Sequence, residues 1–137
     1  MTAIDPADRL IPAPTLREAM RLGGFASATL VAGAGGLDRK VEWVRVIETP
    51  QTARRARPND LLLTTAYPIR DDPAAQLELV ATIAEVGGSG LVMKLGMYLD
   101  RPPDGIAEAA DRLVLPLFTL GHDLPWLHLF DPLLERS

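Results

Sequence analysis

Five polar residues of the sequence close or follow predicted strands and could together bind a small molecule. They are Glu48, Thr64, Thr65, Arg70 and Lys94. In an open parallel sheet, ligands bind beyond the carboxyl ends of the strands. A carboxylate, two hydroxyls and two cations at that edge suit a small amide- or carboxylate-bearing metabolite, held by directed hydrogen bonds. The five residues therefore predict a ligand-binding site.

The same charges also allow a purely structural interpretation. Lys94 lies within the apolar run "LVMKLG", where a lysine must find a partner or reach water. Lys94 and Glu48, or Arg45 and an acid, could pair only to satisfy each other. The alternative for Arg45 and Glu48 is a sensing or docking surface at the end of the sheet.

Residues for other chemistry are scarce. The chain has no cysteine, and its two histidines, His122 and His128, are six residues apart, which is poor metal-ligand spacing. None of the three serines lies in a G-x-S-x-G nucleophile elbow. The glycines of "GAGG" lack the G-K-[ST] ending of a phosphate-binding loop. We therefore expect no metal, no cofactor and no enzymatic activity.

Alternating helix and strand signals indicate an α/β fold. Apolar runs predict strands near 61–66, 90–95 and 115–119, and helical patterns predict helices near 73–87 and 104–113. Asp72 and Asp104 are the predicted N-caps of the two helices. Two strand–helix–strand units in succession predict that the three strands are parallel neighbours covered by helices. Earlier in the chain, Thr15 and Glu18 have the spacing of a capping box.

Length and composition indicate one domain covering 1–137. The chain has 137 residues, of which 47% are hydrophobic, enough for a substantial core. A net charge of −4 argues against binding of a nucleic-acid backbone by this domain. No apolar run approaches the 18 to 20 residues of a membrane span, and the acidic N-terminus is unlike a signal peptide. We expect a cytoplasmic protein.

The last residues predict a helix that continues past the end of this chain. Asp131 suits a helix cap and Pro132 a first helical position, yet only five residues follow Pro132. A helix that short is marginal alone. The pattern predicts that the chain is a fragment of a longer protein.

Several stretches resemble the N-terminal domain of PucR-type regulators, the purine-catabolism regulator family. They are "GAGGLDRKVEWVRVIETP", "NDLLLTTAY" and "LPLFTL" ahead of "LPW", within a resemblance that runs from about Leu16 to Leu134. The chain departs from the family pattern at Ala66, where glycine is usual. It also has Asn59-Asp60 in place of a common Gly-Glu pair, and Trp126 in place of phenylalanine. Alanine resists backbone conformations that glycine permits.

The resemblance implies a non-enzymatic domain at the head of a bacterial transcription regulator. In such proteins a C-terminal helix-turn-helix binds DNA, and the N-terminal domain senses an effector or mediates assembly. Three hypotheses follow: a metabolite-sensing domain that passes its signal to a DNA-binding domain beyond this chain, a ligand-free dimerisation or docking module, and an enzyme subunit. A homodimer is the expected assembly, and an apolar rim around Trp126 and Phe130 would favour docking.

Overall fold

A five-stranded mixed sheet forms the centre of the computed structural model, which describes residues 12–121. Its strand order is β1-β5-β4-β3-β2, and the two edge strands are therefore β1 and β2. The strands are β1 (Thr29–Ala32), β2 (Trp43–Val46), β3 (Asp60–Thr64), β4 (Gly90–Leu95) and β5 (Leu117–Gly121).

Four neighbouring strands of this sheet run parallel. β3 pairs with β4, and β4 pairs with β5, both in parallel register. β2 adds a fourth parallel strand at one edge, while β1 pairs with β5 in the antiparallel sense at the other. The predicted α/β class and its three adjacent parallel strands are therefore confirmed, and the carboxyl ends of β2 to β5 share one edge.

Helices connect and cover the strands. They are α1 (Leu16–Ala19), α2 (Pro50–Ala53), α3 (Pro73–Val86) and α4 (Ile106–Leu113), with short 3₁₀ turns at Gly23–Ser27, Ala34–Gly36 and Tyr67–Ile69. The capping box of Thr15 and Glu18 at α1 is confirmed, as is the cap of α3, where Asp72 accepts from the Ala75 N–H at 3.1 Å. Side-chain capping therefore starts both helices where the sequence predicts.

The predicted cap of α4 is wrong. The helix begins at Ile106, and its N-cap is Gly105, which has φ 81° and makes no side-chain cap. Asp104 lies one residue earlier and reaches Arg101 at 3.7 Å. Glycine takes the left-handed conformation at little cost, so the chain turns into the helix at Gly105 rather than at the aspartate.

Two of the strands begin or end at different residues from those predicted. β3 ends at Thr64, since Ala66 has φ 57° and leaves the extended conformation. β5 begins at Leu117, because the Leu115 N–H still donates to Ala110 O at the end of α4. In both cases, residues that the sequence pattern assigns to the strand belong instead to an adjoining turn.

Two apolar clusters cover the opposite faces of the sheet. The larger contains Leu62, Leu91 and Met93 with the buried side of α3 and α4. The smaller contains Leu63 and Val92 with α1 and the turn that carries Phe25. Burial on both faces explains why the central strands are continuous apolar runs rather than alternating ones.

The predicted helix at Pro132 and the predicted rim at Trp126 and Phe130 lie outside the described residues. Within 12–121, no helix is both long enough and apolar enough to cross a membrane.

Candidate binding site at the carboxyl edge of the sheet

Glu48 and two threonines form a hydrogen-bonded cluster where β2 and β3 end. The Thr64 hydroxyl donates to Oε1 of Glu48 at 2.9 Å, and the Thr65 backbone N–H donates to the same oxygen at 2.7 Å. The Thr65 hydroxyl donates to Oε2. Three of the five predicted site residues are therefore in direct contact, and the Glu48 carboxylate lies only half-buried.

This cluster holds the turn that leaves β3. The Thr64 hydroxyl oxygen accepts from the Ala66 N–H at 3.0 Å, and that of Thr65 accepts from the Tyr67 N–H at 3.3 Å. Ala66 itself is buried and in the left-handed conformation, and the half-buried Asn59 ahead of β3 is also left-handed, at φ 69°. Both of these residues stand where the family resemblance expects glycine, which explains the preference for glycine there.

Arg70 lies at the end of the same turn and is held by Tyr67. Its guanidinium is 4.0 Å from the centre of the Tyr67 ring, and its Nη1 donates to Tyr67 O at 2.6 Å. Tyr98, from the loop after β4, packs on Tyr67 with the ring centres 4.4 Å apart. A cation over an aromatic face is stabilised by the ring quadrupole, so the turn presents Arg70 in a defined position.

A cleft of about 450 Å³ opens beside Arg70. Its wall includes Arg70, Gln76, Tyr98, Leu99, Arg101 and Asp104, contributed by the turn after β3, by α3 and by the loop between β4 and α4. Clefts of this volume accept small metabolites. The cleft combines aromatic, amide and charged groups, which could hold a polar molecule.

Gln76 and Tyr98 were missing from the predicted site. Gln76 is buried in the first turns of α3, and its Nε2 donates to Ile69 O at 2.9 Å and to Arg70 O at 3.1 Å. A sequence signal for Gln76 does exist. It lies three and four residues before Leu79 and Val80, on the apolar stripe of the helix, where an amide needs partners. Tyr98 gave no such signal.

Lys94 occupies a different part of this region. It is half-buried on β4 and pairs in register with Leu120 of β5. Strand alternation places it on the face of Val92, whereas Thr64 is paired with Met93 and shares the other face. No hydrogen bond or ion pair between described residues joins Lys94 to Glu48. The convergence of Lys94 with the other four residues stays a prediction.

Arg45 belongs to the core and not to a surface. It is 7% exposed, and its Nε donates to Oδ2 of the fully buried Asp60 at 3.0 Å. The same oxygen accepts from the Arg57 N–H at 2.8 Å. The expectation of a sensing or docking surface is therefore wrong for Arg45, because the paired acid that would satisfy it lies on the neighbouring strand.

Across residues 12–121, no three histidine, aspartate or glutamate side chains are grouped so as to hold a metal ion. The groups at the carboxyl edge are hydrogen-bond donors and acceptors, and they include both positive and negative charges. Their arrangement suits recognition of a polar ligand.

Comparison with known proteins gives the family. The model of the purine catabolism regulatory protein-like family, PucR, matches residues 18–136. The match covers most of the chain, and the chain belongs to this family. The resemblance predicted from its sequence motifs is thereby confirmed.

Two curated relatives are similar to this chain over most of its length. It is 35% identical to the Purine catabolism regulatory protein of Bacillus subtilis (strain 168) over 103 residues, which are 75% of this chain and 19% of that protein. It is 30% identical to the Transcriptional activator PmfR of Paenarthrobacter nicotinovorans over 99 residues, which are 71% of this chain and 21% of that one. The matched region thus spans about a fifth of each relative.

This chain also resembles a solved structure in fold. That structure is the crystal structure of the CBS and DRTGG domains of the regulatory region of Clostridium perfringens pyrophosphatase, complexed with the activator diadenosine tetraphosphate. The TM-score is 0.60 at 16% identity, and the likeness covers 99% of this chain and 53% of that one. At this identity it supports the α/β fold alone.

Proposed function

We propose that this chain is the effector-sensing domain of a bacterial transcription regulator, and that it binds a small polar metabolite at the carboxyl edge of its sheet. The signal passes to a DNA-binding domain beyond this chain. The names of the two relatives, a regulatory protein and a transcriptional activator, support regulation over catalysis.

The observation that carries the proposal is the connection between the Glu48 cluster and the cleft. Glu48 binds Thr65, whose hydroxyl binds the Tyr67 N–H, and Tyr67 in turn holds Arg70 at the cleft wall. One hydrogen-bonded path therefore joins the end of β2 to Arg70 in the wall of the cleft. A ligand that binds Arg70 would bias the position of this turn, which is the differential contact that a sensor needs.

Roles within the proposed site differ. Arg70 contacts the metabolite. Glu48, Thr64 and Thr65 form hydrogen bonds mainly with each other, and they position the turn. Lys94 supplies a second cation from β4. The proposed site thus combines the turn that carries Arg70 with a second cation, Lys94, from the other face of the same sheet edge.

Thermal melts with a panel of purine-pathway metabolites test this proposal. We expect at least one of them to raise the melting temperature, since a ligand at 100 times its Kd stabilises a protein by about 2.7 kcal/mol. Arg70→Ala should reduce the shift. Arg55→Ala, an exposed arginine away from the cleft, is the matched control and should keep it. A wild-type melt that no metabolite moves would overturn the sensing proposal.

Lys94→Ala separates ligand binding from structure. If Lys94 serves the ligand, the variant melts close to the wild type and responds less to the metabolite. If Lys94 is instead one half of a buried ion pair, its loss costs about 3 to 5 kcal/mol. A large loss of stability with an unchanged metabolite shift would remove Lys94 from the site.

A ligand-free homodimerisation module is the second candidate. Leu30 and Val31 are each 38% exposed on edge strand β1, and exposed edge strands pair readily with another chain. Light scattering of wild type and Leu30→Lys measures this directly. A dimer that dissociates in the variant, in a protein that no metabolite stabilises, would favour assembly over sensing.

The isolated domain should not bind DNA tightly, because its net charge is −4. A sequence-specific mobility shift by this chain alone, at low salt, would contradict a regulator whose DNA contacts lie elsewhere.

A further inference from the structure

Gln76 is a buried amide in the wall of the cleft, and within residues 12–121 only one of its two polar side-chain atoms makes hydrogen bonds. It is 6% exposed, and both of its hydrogen bonds are donated by Nε2, to Ile69 O and Arg70 O. Only the amide nitrogen can donate to a carbonyl, so these two bonds fix which side of the amide carries oxygen. Oε1 is an acceptor that takes no hydrogen bond from the described part of the chain.

Hydrogen-bond donors lie at the same cleft. Arg70 is oriented by its stacking on Tyr67, and Arg101 is 81% exposed on the loop before α4. Two guanidinium groups can donate to ligand carbonyl oxygens while the Gln76 oxygen accepts from a ligand N–H. The wall therefore offers a neutral acceptor fixed by the hydrogen bonds of its own side-chain amide, together with donors on separate elements.

The charge of the cleft limits the class of ligand. Its two arginines are matched by three aspartates, Asp71, Asp100 and Asp104. A nearly balanced set of charges favours a neutral polar molecule over a strongly anionic one such as a polyphosphate, which clustered cations would bind.

Tyr98 adds an apolar surface to this wall. Its ring is held against Tyr67 at a centroid distance of 4.4 Å, with the two planes at 60°. Aromatic faces stack against flat rings, and this one is already positioned by its neighbour. The wall therefore offers an aromatic face on which a planar heterocycle can stack.

We propose that the cleft binds a small neutral heterocycle carrying a lactam or imide group. Its ring N–H donates to Oε1 of Gln76, its carbonyl oxygens accept from Arg70 and Arg101, and its face packs on Tyr98. This inference rests on the proposed sensing function. It names the ligand class and the residue that accepts a hydrogen bond from the ligand N–H.

Matched pairs of probes test it on the whole chain. Xanthine, uracil and succinimide are compared with caffeine, 1,3-dimethyluracil and N-methylsuccinimide by calorimetry, because methylation removes the N–H and keeps the ring. We expect at least one unmethylated probe to bind the wild type about tenfold or more tightly than its methylated partner, the value of one lost hydrogen bond.

Gln76→Met and Arg101→Gln locate the contacts. In Gln76→Met the preference for the unmethylated probe should disappear, a change that a merely structural role would not produce. Arg101→Gln, at an exposed position, should weaken both members of a pair while leaving the fold intact. Arg55→Ala should change neither.

Three results overturn the inference. Equal binding of methylated and unmethylated probes would show that the site accepts no hydrogen bond from a ligand N–H. A preference that survives in Gln76→Met would place the acceptor elsewhere. Failure of every probe to bind would exclude the lactam class, and the sensing function would still stand if another purine-pathway metabolite shifted the melt.

Discussion

The buried pair of Arg45 and Asp60 and the half-buried cluster around Glu48 both join the paired strands β2 and β3, the pair within the strands and the cluster at their carboxyl ends. In the first, a guanidinium and a carboxylate are almost removed from water and pair with each other across the sheet. In the second, a carboxylate accepts three hydrogen bonds from a turn and remains partly open to solvent. Two acidic residues on adjacent strands thus have different tasks, one inside the fold and one at its edge.

Burial explains this difference. Desolvating two charges costs several kcal/mol per ion, which their attraction only roughly offsets, so Arg45 and Asp60 serve the fold from a position that a ligand does not reach. One oxygen of Asp60, Oδ1, is buried and has no hydrogen-bond partner among residues 12–121. At the carboxyl edge, by contrast, water replaces lost contacts, and a group can change partners at moderate cost.

The largest effect is expected from breaking the buried pair. Asp60→Ala removes the acceptor shared by Arg45 and the Arg57 N–H and should lower the free energy of unfolding by about 3 to 5 kcal/mol. Urea denaturation measures the change. Asp38→Ala, which breaks an exposed pair with Arg17, is the control and should cost less than about 1 kcal/mol. Similar losses for the two variants would contradict a structural role confined to the buried pair.

An intermediate effect is expected at the carboxyl edge. Glu48→Ala leaves two threonine hydroxyls and one backbone N–H without their acceptor, yet water can reach them. We expect a loss of about 1 to 3 kcal/mol together with a reduced metabolite shift, because the turn carrying Arg70 loosens. Glu78→Ala, which breaks the exposed contact with Arg54, should leave the metabolite shift intact. A full metabolite shift in Glu48→Ala would remove Glu48 from the path to the ligand.

The smallest effect is expected at Ala66. Glycine there relieves a left-handed conformation worth about 1 to 2 kcal/mol, loses a buried methyl worth about 0.8 kcal/mol, and gains freedom in the unfolded chain. The net change should stay within about 1 kcal/mol in either direction. Ala56→Gly, at a buried site outside the left-handed region, is the comparator and should be more destabilising by about 1 to 2 kcal/mol. Equal losses would contradict strain at Ala66.

Local sequence signals predicted the fold well, but they did not predict the contacts between strands across the sheet. The cap at Asp72 and the bounds of β4 follow from neighbouring residues and match the structure. Strand register does not follow from neighbours, so the pairing of Arg45 with Asp60 was only one of several possibilities. Tyr98 reaches the cleft from a loop, where no periodicity marks it, while the left-handed turn at Ala66 ended β3 two residues early.

The site was predicted in part for the same reason. Glu48, Thr64 and Thr65 close adjacent parallel strands, and the shared edge brings them together. Lys94 also belongs to that edge, yet alternation along β4 turns it to the face opposite Thr64. The rule that ligands bind at the carboxyl ends of parallel strands therefore identifies a region of the molecule. The direction of each side chain then decides which residues come into contact.

An amide NMR titration with the purine-pathway metabolite panel tests the central claim most directly. We predict saturable shifts of amide signals from 64–76 and 96–104, the segments that form the turn and the cleft, while the signals of Arg45 and Asp60 stay in place. Shifts confined to β1, or no saturable shift with any metabolite, would contradict a sensing site at the carboxyl edge.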